Sequence, residues 1–153
     1  MLTGTASFEI DPPDLETIRK RWQLVGESDL PYLVAMIENQ VVAFAYALPY
    51  RPRPAYRYTV EHSIYVDRSW RRWDIGKQLT DRLVELLTGC GIREIIGIIG
   101  DSTNEASLLA HESAGVHQVG TLQNVGRKFD RWLDTVIVQR SLSPSPNEAT
   151  KIQ

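Results

Sequence analysis

The spacing of hydrophobic residues changes between two periods along the chain, which predicts an alternation of helices and strands. Apolar residues recur at helical spacing after a Pro-Pro pair, so the first helix is expected over Asp14–Val25. A second helical period begins at Ile75 and ends at Gly89, and a third helix is expected over Asn104–Ala114, closing at Gly115. The residues that set the first two periods are Leu15, Ile18, Trp22 and Val25, then Ile75, Leu79, Leu83, Leu86 and Leu87.

The stretches between these helices carry apolar runs or apolar–polar alternation, which is typical of strands. Tyr32–Leu48 contains two apolar runs around a polar Glu-Asn-Gln break and predicts a β-hairpin. Tyr56–Val66 alternates and is rich in tyrosine and β-branched residues, so it predicts a long third strand. A short buried strand over Arg93–Gly100 and two strands around Val116–Leu122 and Thr135–Arg140 follow. This order favours an α/β or α+β fold without internal repeats.

The composition narrows the class of protein. A chain of 153 residues with 42% hydrophobic content suits one domain, expected over residues 1–142, followed by a polar tail at 143–153 that is expected to be disordered. A net charge of −2 gives no global field for nucleic acid or anionic membranes, and no stretch approaches the length of a spanning helix. The single cysteine, Cys90, excludes an internal disulfide framework, and no Cys/His set has zinc spacing. A cytoplasmic protein without a metal is therefore expected.

Four stretches of the chain resemble, in order, a known family. They are "TASFEI" at 5–10, "YRPRPAYRYTVEHSIYV" at 50–66, "NEASLLAHESAG" at 104–115 and "VGRKFDRWLDTVIVQRSL" at 125–142. Together they are similar to GNAT-fold N-acetyltransferases of the phosphinothricin and methionine sulfoximine type. The resemblance implies a central, mostly antiparallel sheet flanked by helices, in which two neighbouring strands splay apart to admit the pantetheine arm of acetyl-CoA.

The resemblance also implies a reaction and an assembly. The expected activity is transfer of an acetyl group from acetyl-CoA to the amine of a small amino-acid-like molecule, by a homodimer in which "KFDRWLD" helps form the dimer and the pocket rim. The family carries a further strand and helix before the segment matching "TASFEI", so that unit is expected to be missing, leaving a sheet edge exposed.

Amine acetylation requires a base, because a primary amine is mostly an ammonium ion at neutral pH. The resemblance assigns this role to Glu61 in "TVEHSIYV", and the alternative is a surface carboxylate on a strand. The departing thiolate takes up a proton, and His111 is the residue whose ordinary pKa suits that task, unless it is a structural histidine on a helix.

The cofactor is expected along the splayed strand and the following loop. Backbone N–H groups around Ile64, Tyr65 and Val66 are candidates to bind pantetheine and the thioester oxygen, although Ile64 and Val66 are equally explained as core residues. Asn104 either caps its helix or contacts the cofactor, and Ser107 is a further candidate on that helix.

The pyrophosphate loop departs from the family pattern. The family reads roughly Arg-Gly-x-Gly-Ile-Gly, whereas this chain reads Arg71, Arg72, Trp73, Asp74, Ile75, Gly76. Arg72 and Asp74 each add a Cβ where backbone N–H groups approach phosphate, and Asp74 adds a negative charge. We expect weakened but retained binding of acetyl-CoA. The alternative interpretation is that Asp74 is simply the N-cap of the helix beginning at Ile75.

Four residues are candidates to bind the acceptor molecule. Arg53, Tyr56 and Thr59 match the family's pocket segment, and Arg21 on the first helix is a further candidate, because arginine binds carboxylate and phosphinate groups through paired hydrogen bonds. Each is equally explained as a solvated or edge-strand residue. Two functions remain open at this point: an N-acetyltransferase, and a catalytically silent relative that keeps the fold as a weak binding module.

Overall fold

The computed structural model of the protein describes residues 11, 13–100 and 115–142. The predicted helix over Asn104–Ala114, with Ser107 and His111, lies outside the described residues, as do the "TASFEI" segment and the tail at 143–153. The described chain forms two helices and six strands, with short 3₁₀ turns at Pro54–Tyr56 and Arg68–Trp70. Their bounds are α1 Leu15–Glu27, β1 Tyr32–Ile37, β2 Gln40–Pro49, β3 Thr59–Val66, α2 Ile75–Gly89, β4 Glu94–Gly100, β5 His117–Lys128 and β6 Arg131–Ser141.

Helix α1 begins where the sequence predicts it. Asp14 has an extended backbone, and its side chain accepts a hydrogen bond from the Thr17 N–H at 2.8 Å, which satisfies one of the free donors of the first turn. The apolar residues that set its period are mostly not in the core. Only Val25 is buried, whereas Leu15 is 72% and Trp22 59% exposed.

The β1–β2 hairpin is confirmed, and its turn explains the register. Glu38 and Asn39 both have positive φ, at 48° and 64°, which is the backbone of the two-residue turns that match strand twist. The third strand is shorter than predicted. Tyr56 belongs to the 3₁₀ turn that starts at Pro54, where the fixed φ and missing N–H of proline favour a turn, and β3 begins only at Thr59.

The second helix and the later strands are confirmed with adjusted ends. Helix α2 ends at Gly89, but the glycine with a left-handed backbone is Gly91, at φ 79°. Strands β5 and β6 extend beyond the predicted ranges to form a long hairpin whose turn, Phe129–Asp130, has positive φ at both residues.

The strands form one sheet in the order β1-β2-β3-β4-β6-β5. Every neighbouring pair is antiparallel except β3 and β4, which run parallel. The largest buried cluster lies between α2 and the sheet, and its most enclosed members are Leu83 and Leu87 of the helix with Val42, Ala45, Ala47 and Val60 of the strands. The predicted fold class, a mostly antiparallel sheet flanked by helices, is confirmed.

Candidate active site

The parallel strands β3 and β4 separate part of the way along their length. They pair only from Thr59 with Glu94 to His62 with Gly97, although β3 continues to Val66 and β4 to Gly100. The last residues of β3, Ser63–Val66, pair with β2 on their other side. Among the described residues no strand pairs with them on the β4 side. We call this divergence after His62 and Gly97 the fork, and it is the opening that the sequence resemblance predicts.

The candidate cofactor residues on β3 lie in the open arm of the fork. Ile64 and Val66 pack against the core beneath α2, whereas Tyr65 lies on the opposite face and stacks on Phe44 with ring centroids 4.8 Å apart. The core interpretation of Ile64 and Val66 is therefore correct for their side chains. Their backbone groups still border the fork, so binding of pantetheine by this edge stays a prediction.

Glu61 lies at the fork, on the face opposite α2. It is half-buried and pairs with Leu48 of β2 and Ile96 of β4. Burial raises the pKa of the Glu61 carboxyl above its ordinary value, and the positive charge of Arg51 partly opposes this increase. A carboxylate with a raised pKa is a stronger base, which suits removal of a proton from an ammonium ion.

A row of aromatic rings covers the same face beside Glu61. Tyr32, Tyr46, Phe44 and Tyr65 form this aromatic row, with neighbouring centroids 5.2 Å apart for Tyr32–Tyr46 and 6.4 Å for Phe44–Tyr46. The sequence patterns did not lead us to predict this aromatic row. The alternation of aromatic residues with alanine in "AFAYA" of β2 was the available signal, because alternate residues of a strand share a face.

The acceptor-side candidates fall into two groups. Thr59 pairs with Glu94 and shares a face with Glu61. Burial raises the pKa of the Tyr32 phenol, and the positive charge of Arg21 on α1 partly opposes this increase. Arg53 and Tyr56 are exposed on the loop between β2 and β3, where Tyr56 contacts Tyr50 edge to face at 5.7 Å. The structure thus brings Thr59 to the face of Glu61, leaves Arg21 to act on Tyr32 of the aromatic row, and leaves the other two on the neighbouring loop.

In the loop before α2, the interpretation of Asp74 as a capping side chain is wrong. Asp74 stands at the N-cap position, but its backbone is left-handed, at φ 54° and ψ 15°, and its side chain makes no capping hydrogen bond. An N-cap side chain reaches the first-turn N–H groups from an extended backbone, as Asp14 does at φ −71° and ψ 169°. The carboxylate of Asp74 therefore leaves the donors at the start of α2 available to an anion.

The remaining loop residues surround this helix N-terminus. Arg71, Arg72 and Trp73 are exposed, whereas Ile75 is buried in the core. Gly76 packs close to the end of β3, since a Cβ there would lie 3.4 Å from Cγ2 of Val66. The start of α2 and the open arm of the fork are thus adjacent, which is the arrangement needed for one extended cofactor to contact both.

The described part of the chain does not indicate a metal site or a membrane span. No group of three or more His, Cys, Asp or Glu side chains in the described residues is arranged to hold a metal ion. None of the described helices is long and apolar enough to cross a membrane.

Comparison with known proteins agrees with this geometry. Residues 3–116 match the acetyltransferase (GNAT) family. The chain is 45% identical over 141 residues to a phosphinothricin N-acetyltransferase of Alcaligenes faecalis, covering 92% of this chain and 72% of that protein. It is 33% identical over 142 residues to an L-methionine sulfoximine/L-methionine sulfone acetyltransferase of Pseudomonas aeruginosa, covering 92% and 82%.

A solved structure shares the fold. The crystal structure of a phosphinothricin acetyltransferase from Sinorhizobium meliloti in complex with acetyl-CoA superposes with a TM-score of 0.88 at 35% identity, covering 95% of this chain and 79% of that chain. The fold is that of a GNAT acyltransferase. The chain belongs to the acetyltransferase (GNAT) family, as an N-acetyltransferase that uses acetyl-CoA. Nothing in these similarities favours the catalytically silent alternative.

Arg51 is a residue that the sequence interpretation missed, and it gives a testable effect on pH dependence. Its positive charge lowers the pKa of Glu61, so Arg51→Met should raise that pKa further. A base works only when ionised, so the acidic limb of kcat/KM should move to higher pH in this variant. The measurement is a pH–rate profile of both forms, with Arg57→Met on the same loop as a control. An unchanged limb in Arg51→Met would show that Glu61 does not set it.

Proposed function

We propose that this protein acetylates the amine of a small amino acid of the phosphinothricin or methionine sulfoximine type. The observation that carries the proposal is the half-buried Glu61 at the fork, beside an open strand edge that continues to a helix N-terminus. The names of the relatives support the substrate class, since the phosphinothricin and methionine sulfoximine enzymes match over most of this chain.

The proposed reaction begins with the amine. Glu61 accepts a proton from the ammonium, directly or through water, and the freed nitrogen attacks the carbonyl carbon of the thioester. Backbone N–H groups of the open arm, near Tyr65, stabilise the oxyanion of the tetrahedral intermediate. The C–S bond then breaks with its electron pair on sulfur, the amide nitrogen loses its second proton to water, and the thiolate takes up a proton. His111, which lies outside the described residues, is the proposed donor of that proton.

Acetyl-CoA and the acceptor amine are proposed to bind at different ends of the site. Acetyl-CoA is proposed to place its pantetheine along Ile64–Val66 and its pyrophosphate at the loop Arg71–Gly76, with Asn104 and Ser107 as further contacts. The carboxylate and the polar tetrahedral side group of the acceptor are proposed to bind Thr59 on the face of Glu61, Arg21 of α1, and Arg53 and Tyr56 on the loop between β2 and β3.

The test is an assay of CoA release with acetyl-CoA and either phosphinothricin or methionine sulfoximine. We expect saturable activity that requires the free amine, so the N-acetylated acceptors serve as matched controls and should give none. Isothermal titration with acetyl-CoA provides an independent measurement of cofactor binding. Absence of binding at millimolar acetyl-CoA, together with absence of CoA release, would exclude the enzyme function.

We also propose a cytoplasmic homodimer formed through the β5–β6 hairpin. Strand β5 lies at an edge of the described sheet, where its backbone groups are available for pairing. The hairpin also exposes five large apolar residues, and such a concentration is typical of an interaction surface. They are Val119, Leu122, Val125, Phe129 and Trp132. The single cysteine, Cys90, is exposed and forms no disulfide, which suits a reducing compartment.

The dimer is tested at Trp132, which is 63% exposed. Trp132→Glu places a charge in the proposed apolar interface, so we expect dissociation to monomers, measured by sedimentation velocity at several protein concentrations. Val34→Glu is the matched control, since Val34 is 48% exposed on β1 at the opposite edge of the sheet. If both variants sediment like the parent chain, the hairpin is not the interface.

A further inference from the structure

His62 is a buried histidine to which the proposed reaction gives no role. It lies next to Glu61 on β3, but adjacent residues of a strand point to opposite faces, so its ring lies on the α2 side. Its Nδ1 is 3.1 Å from the carbonyl oxygen of Ile96 on β4. Because a carbonyl only accepts hydrogen bonds, Nδ1 must carry the hydrogen and donate it. The imidazole thus links the two strands of the fork directly.

The ring also occupies space that a side chain on β4 would need. His62 pairs with Gly97, which is the last pair before the strands separate. A Cβ on Gly97 would lie 2.8 Å from Cε1 of His62 and 2.7 Å from Cγ2 of Val138, distances that real Cβ atoms do not adopt. Glycine at this position therefore allows the imidazole to lie over the β4 backbone, at the end of the paired region.

The hydrogen bond connects His62 to the position of Glu61. Ile96, whose carbonyl accepts the bond, is also the β4 partner of Glu61. The same peptide region of β4 therefore holds the histidine on one face of the sheet and borders the candidate base on the other. A change in strand spacing here would alter the gap between the open arm of β3 and the diverging end of β4, where the thioester is expected to lie beside Glu61.

We infer that His62 is a positioning residue that fixes where β3 and β4 separate and so sets the width of the opening between Ile64–Val66 and β4, in which the thioester is held beside Glu61. This inference rests on the proposed function, because the separation of β3 and β4 affects turnover only if the reaction takes place at the fork. A displacement of reacting groups by about 1 Å lowers the rate by about 100-fold, so a small change at the fork has a large effect on turnover.

The test compares two replacements of the ring. His62→Asn keeps an N–H donor near the place of Nδ1, whereas His62→Leu removes the donor and keeps an apolar side chain. We expect kcat per folded molecule to fall by about 100-fold in His62→Leu and to be largely restored in His62→Asn. Ile92→Val, a change in the same core far from the fork, controls for lost stability and should keep its kcat.

Hydrogen–deuterium exchange measures the fork independently of activity. His62→Leu should speed exchange in Glu61–Ser63 and Ile96–Ile98, whereas Ile92→Val should not. Equal kcat in the parent and His62→Leu, or unchanged exchange at the fork, would overturn the inference. If the parent chain itself releases no CoA, the proposed function fails instead, and exchange alone then decides whether His62 holds the fork.

Discussion

Glu61→Gln should lower kcat by about 10² to 10⁴-fold, the range typical of a lost general base, with little change in the affinity for acetyl-CoA. The substitution keeps the shape of the side chain and most of its hydrogen bonding. It removes only the ability to accept the proton, which is the property that burial at the fork strengthens. The measurement is steady-state kinetics with methionine sulfoximine or phosphinothricin, alongside titration with acetyl-CoA.

The pH dependence of the same variant separates a base from a structural carboxylate. The acidic limb of the parent enzyme should disappear in Glu61→Gln, and high pH should restore part of the rate because more of the amine is then already neutral. Glu94→Gln is a matched control, because Glu94 is half-buried on the same face and accepts hydrogen bonds from Gln139 and Ser141. Its loss should lower the melting temperature and leave kcat intact. Equal specific activity and equal pH dependence in Glu61→Gln and the parent would remove Glu61 from the mechanism.

Local sequence patterns predict several helices and strands of this fold, because interactions between residues close in the chain determine where those elements begin and end. The break at Glu38–Asn39 requires two residues that tolerate positive φ between apolar runs, and the structure forms its hairpin turn there. Asp14 caps α1 where the Pro-Pro pair predicts a helix start. The exposure of Trp22 was not predictable in this way, because spacing shows which residues share a helix face but not whether that face is covered.

The candidate site depends on relations between distant residues, so the sequence predicts its parts and not its geometry. Glu61 is recognisable from the motif around it, but the end of pairing at His62 and Gly97 depends on a register between two strands that are far apart in the chain. Arg51 acts on Glu61 through space, and nothing in their spacing along the sequence indicates that effect. The left-handed backbone of Asp74 was also missed, because aspartate before an apolar helical run is more often a capping residue.

Asp74→Gly should tighten the binding of acetyl-CoA and should not destabilise the protein. The side chain forms no cap, so glycine removes no hydrogen bond, and the backbone at φ 54° is one that glycine adopts without steric cost. If Asp74 were a capping residue, its loss would lower stability, but the structure shows no capping hydrogen bond to lose. The melting temperature should stay equal or rise, as measured by thermal unfolding.

The gain in affinity has two parts that a second variant separates. The carboxylate opposes an anionic pyrophosphate at the start of α2, and at about 4 Å in water this repulsion amounts to about fivefold in affinity. Asp74→Asn removes the charge but keeps the Cβ, so it should recover that part, and glycine should bind more tightly still because the backbone N–H groups become more accessible. Glu85→Gln, exposed near the other end of α2, changes the net charge equally and should leave the Kd unchanged. Titration calorimetry with acetyl-CoA measures all three. If Asp74→Gly binds no better than the parent while Asp74→Asn also has no effect, the pyrophosphate does not lie at this helix N-terminus.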